Sequence, residues 1–96
     1  MRIYVCGPMT GLPDLNFPAF RDAAARLRAL GHHVVNPAEL NIGVTDWATC
    51  MKTDIRHLVE CDSIALLPGW EKSRGASLEQ HIAQSLGLGV MHLSEE

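Results

Sequence analysis

Glu79 is the side chain best placed by its neighbours to do chemistry. It ends the run Ser73-Arg74-Gly75-Ala76-Ser77-Leu78-Glu79, which follows a short apolar segment and opens a helix. In a helix, Ala76, Glu79, Ile82, Ala83 and Leu86 share one face at three- and four-residue spacing. An acid on an otherwise apolar stripe is costly to bury unpaired. A nucleophile or an acid held in a cleft would account for it. Close to a helix N-terminus its charged form is expected to be favoured, which suits a nucleophile. The alternative is a first-turn glutamate that merely meets the helix dipole.

Asp54 is the second candidate. It lies at the edge of the stripe formed by Trp47, Met51, Ile55 and Leu58. There it is either an exposed acid beside Lys52 and Arg56 or a partner for Glu79 in one cleft. Two carboxylates in different surroundings can divide the work of nucleophile and proton carrier. Tyr4 is a packing residue unless its hydroxyl reaches that cleft.

The loop Gly7-Pro8-Met9-Thr10-Gly11 follows the first strand. It lacks the dinucleotide glycine pattern and the P-loop lysine, so as a phosphate cradle it is weak. A turn that needs small residues explains Gly7 and Gly11 as well as the close approach of a ligand does. Ser73 can cap the last helix, and the free N–H groups around it can also hold a phosphate. Trp70 can stack on a base or cover the edge of the sheet. Arg74 is either solvated or helps hold an anion.

These residues must be positioned by an alternation of strands and helices. Strands are expected at Ile3–Cys6, His33–Val35, Ser63–Leu67 and Val90–Leu93. The first helix is expected to start at an Asn16 cap, with Pro18 in its first turn and Phe20, Ala23, Ala24, Leu27 and Leu30 inward. Gly31 stops it. The stretch from Ala38 to Thr45 reads as loop. Asp46 caps a second helix, and a third runs from about Gly75 to Leu86, with Gly87 ending it. The tail Ser94-Glu95-Glu96 is expected to fray. This pattern predicts one domain over residues 1–96, α/β in class. It would be a three-layer, Rossmann-like (flavodoxin-like) parallel sheet of four strands in order 2-1-3-4, with right-handed crossovers. Ligands bind such sheets at the carboxyl ends of the strands beside the switch point, here the first and third strands. The loops at Gly7–Gly11 and Pro68–Gly75 would then meet at one crevice.

Composition narrows the function classes. The chain has 96 residues, almost half apolar, and a net charge of −3. That suits one small domain that gains from forming a homodimer or higher oligomer, with apolar surface near Trp47 and Met51 to cover. No basic run is visible, so a nucleic-acid polymer is not the expected partner. Cys6, Cys50 and Cys61 are odd in number and lack close pairing, which points to reduced thiols in the cytoplasm. The histidines show no metal-ligand spacing, and no metal site is expected. A strand at the N-terminus and the lack of a long apolar run argue against a signal peptide or membrane association.

Taken together, the chain resembles the nucleoside 2-deoxyribosyltransferase superfamily. Its nearest flavour is the 2′-deoxynucleoside 5′-phosphate N-hydrolases and small phage-associated proteins of that type. The resemblance runs from Ile3 to about Leu93. It rests on Tyr4-Val5-Cys6-Gly7 with Gly11, on Asp54 with Leu58 and Cys61-Asp62, and on Ser73-x-Gly75-x-x-x-Glu79. It implies that Glu79 attacks the anomeric carbon, that Asp54 orients the sugar and handles protons, and that Tyr4 sits beside the nucleophile. It also implies that Ser73 and the amides of the Gly7–Gly11 loop contact the 5′ end. Pro8 departs from the phosphate hydrolases, which usually carry a hydrogen-bonding residue there. Family members usually add a fifth strand that serves a neighbouring subunit's site. The implied activity is cleavage of the N-glycosidic bond of a nucleoside or nucleotide, by hydrolysis or base transfer, without a cofactor. A module that binds or sequesters such a ligand without turnover is the alternative.

Overall fold

The computed structural model describes residues 1–94. Its strands are β1 (Arg2–Cys6), β2 (His33–Val35), β3 (Ser63–Leu66) and β4 (Gly89–His92), and its helices are α1 (Phe17–Ala29), α2 (Pro37–Leu40), α3 (Trp47–Leu58) and α4 (Arg74–Ser85). All strand pairs are parallel, and the sheet order is β2-β1-β3-β4. Tyr4 lies level with Val35 on one side and Ile64 on the other. The switch point therefore falls between β1 and β3, as the alternation predicts.

Alternation along β1 builds the three layers. Ile3 and Val5 point to the face covered by Phe20, Ala23, Ala24 and Leu27 of α1. Tyr4 and Cys6 point to the opposite face, where they meet Leu58 of α3 and Ala76 and Ala83 of α4. Every residue of β3 is buried, which an inner strand covered on both faces requires. The edge strand β4 is mostly exposed. Among the described residues no helix is long and apolar enough to cross a membrane.

Helices α3 and α4 repeat one burial pattern. The buried residues of α3 are Met51, Asp54 and Leu58, and those of α4 are Ala76, Glu79 and Ala83. In both, an acid stands three residues after one apolar contact and four before the next. Each helix thus buries a carboxylate in the middle of the face that packs on the sheet.

Several local expectations are corrected. Asn16 does not cap α1 with its side chain. It adopts a left-handed conformation (φ 61°) and donates from Nδ2 to the Pro8 carbonyl at 2.9 Å, tying the β1 loop to the helix start. Residues Pro37–Leu40 form a short helix instead of loop, because Asn36 accepts from the Ala38 N–H and Pro37 presets the first turn. Leu30 and Leu86 occupy C-cap positions and are exposed, since each stripe ends before the cap. Trp47 is exposed and Ile55 half-buried, so the inward face of α3 centres on Asp54. Strand β1 begins one residue earlier than expected, and β4 is Gly89–His92 instead of Val90–Leu93. The fraying expected at Glu95 and Glu96 lies outside the described residues.

Candidate active site

The site is built where β1, α3 and α4 face one another. Tyr4 and Cys6 are two apart on β1 and so point to the same side. Both are fully buried. The Tyr4 hydroxyl donates to Glu79 Oε2 at 2.8 Å, and the Cys6 thiol lies 3.4 Å from Glu79 Oε1. Each carboxylate oxygen thus faces a donor from the same strand. Glu79 is 5% exposed, which agrees with its position on the apolar stripe. Asp54 is buried nearby on α3, and its Oδ1 accepts from Asn41 Nδ2 at 2.8 Å.

The helix that carries each acid starts at a capping side chain. Asp46 caps α3 by accepting from the Thr49 N–H at 2.9 Å, and Ser73 caps α4 by accepting from the Ala76 N–H at 3.2 Å. At Gly75 an added Cβ would lie 3.2 Å from Met51 Sδ and 3.5 Å from Trp47 Nε1. The small residue lets α4 lie close against α3. The Arg74 guanidinium, expected to be solvated or to hold an anion, stacks 3.9 Å above the Trp47 ring.

The electrostatics follow from burial. Desolvation raises the Glu79 pKa from 4.5 to about 7, and the charge of Asp54 pushes the same way, against the donors Tyr4 and Cys6. This corrects the expectation that the helix terminus would favour the charged form. Glu79 is the sixth residue of α4, and the dipole fades beyond the first turn. Burial also raises the Asp54 pKa from its usual value, while Asn41 and His57 pull it back. Tyr4 and Cys6 are pushed well above their usual values, chiefly by burial and then by Glu79. Both therefore keep their protons and serve as donors to the carboxylate. Near neutral pH this leaves a buried acid divided between its two forms, beside a second buried acid.

The loop residues fall into two groups. At Gly7 an added Cβ would sit 2.7 Å from Leu67 Cβ, so its smallness serves the packing of the β1 and β3 exits. Gly11 has φ +84° with nothing around it, so its role is conformational. The Met9 side chain packs on the α1 side of the sheet, away from Glu79, and Thr10 is exposed. Trp70 packs on the same cluster as Tyr4 and Cys6, with its ring centroid 6.4 Å from that of His92. The two loops approach each other: a Cβ at Gly69 would lie 3.5 Å from Pro8 Cγ. A surface hollow lined by Ala19, Asp22, Arg26, Leu67 and Pro68 lies on the α1 side and contains neither buried acid.

Sequence reasoning missed Cys6 and Asn41 as parts of this site. The two-residue period shared with Tyr4 was the available signal for Cys6. Asn41 lies in a stretch without periodicity, and nothing local announces its contact with Asp54. Among the described residues no three His, Cys, Asp or Glu side chains group as metal ligands. All three cysteines are free thiols.

The fold has known counterparts. The 2-deoxyribosyltransferase of the psychrotolerant bacterium Bacillus psychrosaccharolyticus, described as a biocatalyst for nucleoside synthesis, matches with a TM-score of 0.77 at 22% identity, over 96% of this chain and 71% of its own. The 2-deoxyribosyltransferase of Leishmania mexicana matches with a TM-score of 0.75 at 22% identity, over 99% of this chain and 65% of its own. No curated protein matches the chain. Residues 1–92 match the family model described as a domain of unknown function, DUF4406. The chain belongs to that family, on an α/β fold shared with 2-deoxyribosyltransferases.

Proposed function

We propose that this protein cleaves the N-glycosidic bond of a 2′-deoxynucleoside or its 5′-phosphate through a covalent glycosyl ester on Glu79. The observation that carries this reading is the buried Glu79 carboxylate, with each oxygen facing a β1 donor and with the charge of a second buried acid, Asp54, acting on it. Oligomer formation is part of the same reading, supported by the exposed Ile42, Val44 and Trp47 beside α3.

The chemistry divides one hard displacement into two easier ones. In the first step a Glu79 oxygen bonds to C1′ as the C1′–N bond breaks. The bonding electron pair leaves with the base, which takes a proton from Asp54. In the second step water or an acceptor base bonds to C1′, Glu79 leaves as a carboxylate, and the displaced proton returns to Asp54. Positive charge developing at C1′ is stabilised by the carboxylate. A Glu79 pKa of about 7 makes the attacking form available from neutral pH upward. Asp54, raised by burial, is suited to carry the proton. Tyr4 holds the nucleophile in place. The Ser73 and Gly7–Gly11 segments, at the ends of the central strands, are where the 5′ end of the substrate would lie.

The test is a panel of deoxynucleosides and their 5′-monophosphates, scored for free base with and without an acceptor base. Base release by the wild type is expected, with a sugar adduct trapped on Glu79 and visible by intact-protein mass spectrometry. Glu79→Ala should slow turnover on the order of a thousandfold or more, equivalent to about 4 kcal/mol in the barrier. Turnover that survives this substitution excludes the mechanism. Ligand that co-purifies unchanged, with no base released, favours a binding module instead.

A further inference from the structure

The buried Cys6 thiol has one proton and two acceptors. Its Sγ is 3.4 Å from Glu79 Oε1 and 3.5 Å from the carbonyl oxygen of Ala76, one turn back on the same helix. The Tyr4 hydroxyl has a single partner among the described residues, Glu79 Oε2, at 2.8 Å. The two carboxylate oxygens are therefore not equivalent. Oε2 is held by a short O–H bond whose donor has no second acceptor. Oε1 is held by a weak S–H donor that has somewhere else to go.

We propose that Cys6 is a positioning residue that selects Oε1 of Glu79 as the attacking oxygen. It steadies Oε1 while that atom is a free carboxylate oxygen and turns to the Ala76 carbonyl once Oε1 bonds to carbon. This rests on the reading of Glu79 as the nucleophile. In the attack, Oε1 supplies the electron pair of the new bond to C1′, the C1′–N pair leaves with the base, and the thiol proton stays on sulfur. Oε2 becomes the ester carbonyl, which still accepts well from Tyr4. An ester oxygen bonded to carbon accepts poorly, so the thiol loses little by leaving it. The reverse assignment would strand the Tyr4 hydroxyl, buried and without an acceptor, at the moment the ester forms. The titratable groups facing Glu79 are Tyr4 and Cys6 from β1 and Asp54 from α3, and burial keeps the thiol protonated throughout.

The experiment compares wild type, Cys6→Ala and Cys6→Ser. The Glu79 carboxyl is followed by carbon NMR across pH, and kcat and KM are measured on the substrate found in the panel. Cys6→Ala should raise the Glu79 midpoint on the order of half a pH unit, as loss of one weak donor would. It should lower kcat roughly tenfold with KM unchanged. Cys6→Ser restores a donor and should return the midpoint to the wild-type value or below, with partial recovery of kcat. In the wild type, the infrared S–H stretch of the buried thiol should move as Glu79 titrates, which needs no variant and covers the case in which Cys6→Ala does not fold. Loss of packing alone would lower thermal stability without moving the midpoint or the S–H band. An unchanged midpoint and kcat in Cys6→Ala, a serine variant that behaves like alanine, or an S–H band indifferent to pH each overturn the proposal. Failure of the wild type to release base from any substrate would sink the reaction and the oxygen assignment, whereas the titration and the band would still report the contact.

Discussion

Replacing Glu79 by glutamine should make the protein more stable at alkaline pH while abolishing the proposed base release. The magnitude comes from the carboxyl itself. Its pKa is about 7 in the folded protein against an ordinary 4.5. At about 1.4 kcal/mol for each tenfold, that difference makes the ionised form cost roughly 3 kcal/mol of folding free energy. Below pH 4.5 the group is protonated both folded and unfolded, and the cost is absent. As pH rises through 7 the folded protein must also ionise, and the full cost is present. Wild-type stability should therefore fall from about pH 4.5 to a little above pH 7, and the glutamine variant should lose much less over that range. The gain at the upper end should lie between about 1 and 3 kcal/mol, because the new amide pairs imperfectly with the Cys6 sulfur. For a domain of this size that is a rise in Tm on the order of 10 °C. Urea titrations of both proteins at several pH values measure the difference directly. Equal stability of the two at alkaline pH, or a wild type no weaker there than at pH 5, would mean that Glu79 is not a desolvated acid and is not the buried nucleophile.

Other perturbations separate the neighbouring groups. Tyr4→Phe removes the donor to Oε2, so the acid limb of the kcat/KM profile should move above about 7, with a loss of roughly ten- to a hundredfold in rate. Asn41→Ala strips Asp54 of its hydrogen bond, so the Asp54 carboxyl should titrate higher still, and the buried oxygen left behind should cost about 1–3 kcal/mol in urea unfolding. Gly7→Ala forces a methyl group against Leu67 and should cost about 1–3 kcal/mol, read from the urea midpoint, without altering the pH profile. Ser73→Ala removes the α4 cap and should cost about 1 kcal/mol in the same assay, with KM for a 5′-phosphate substrate reporting any further role.

Local spacing was enough to put Glu79 on an inward face and to lay out the frame that carries it, whereas it set Asp54 only at the edge of its stripe and left its burial open. The three-residue step from Ala76 to Glu79 and the four-residue step to Ala83 are helical arithmetic, and an acid on that face is buried wherever the face is. The continuous apolar run of β3 and the strand–helix alternation likewise imply an inner parallel sheet with helices on both sides. The short α2 helix was missed, because Asn36 followed by Pro37 ends a strand as readily as it starts a helix. What lies between elements is a different matter. No spacing within one segment sets a distance between Cys6 and Glu79, which are 73 residues apart, or between Asn41 and Asp54 across a loop. The sign of the Glu79 shift was decided the same way. The helix terminus is a local feature and favours the charge, but the water around a carboxylate is removed by layers that come from every part of the chain. Desolvation is the largest influence on Glu79, and it exists only once β1, α3 and α4 have closed on one another.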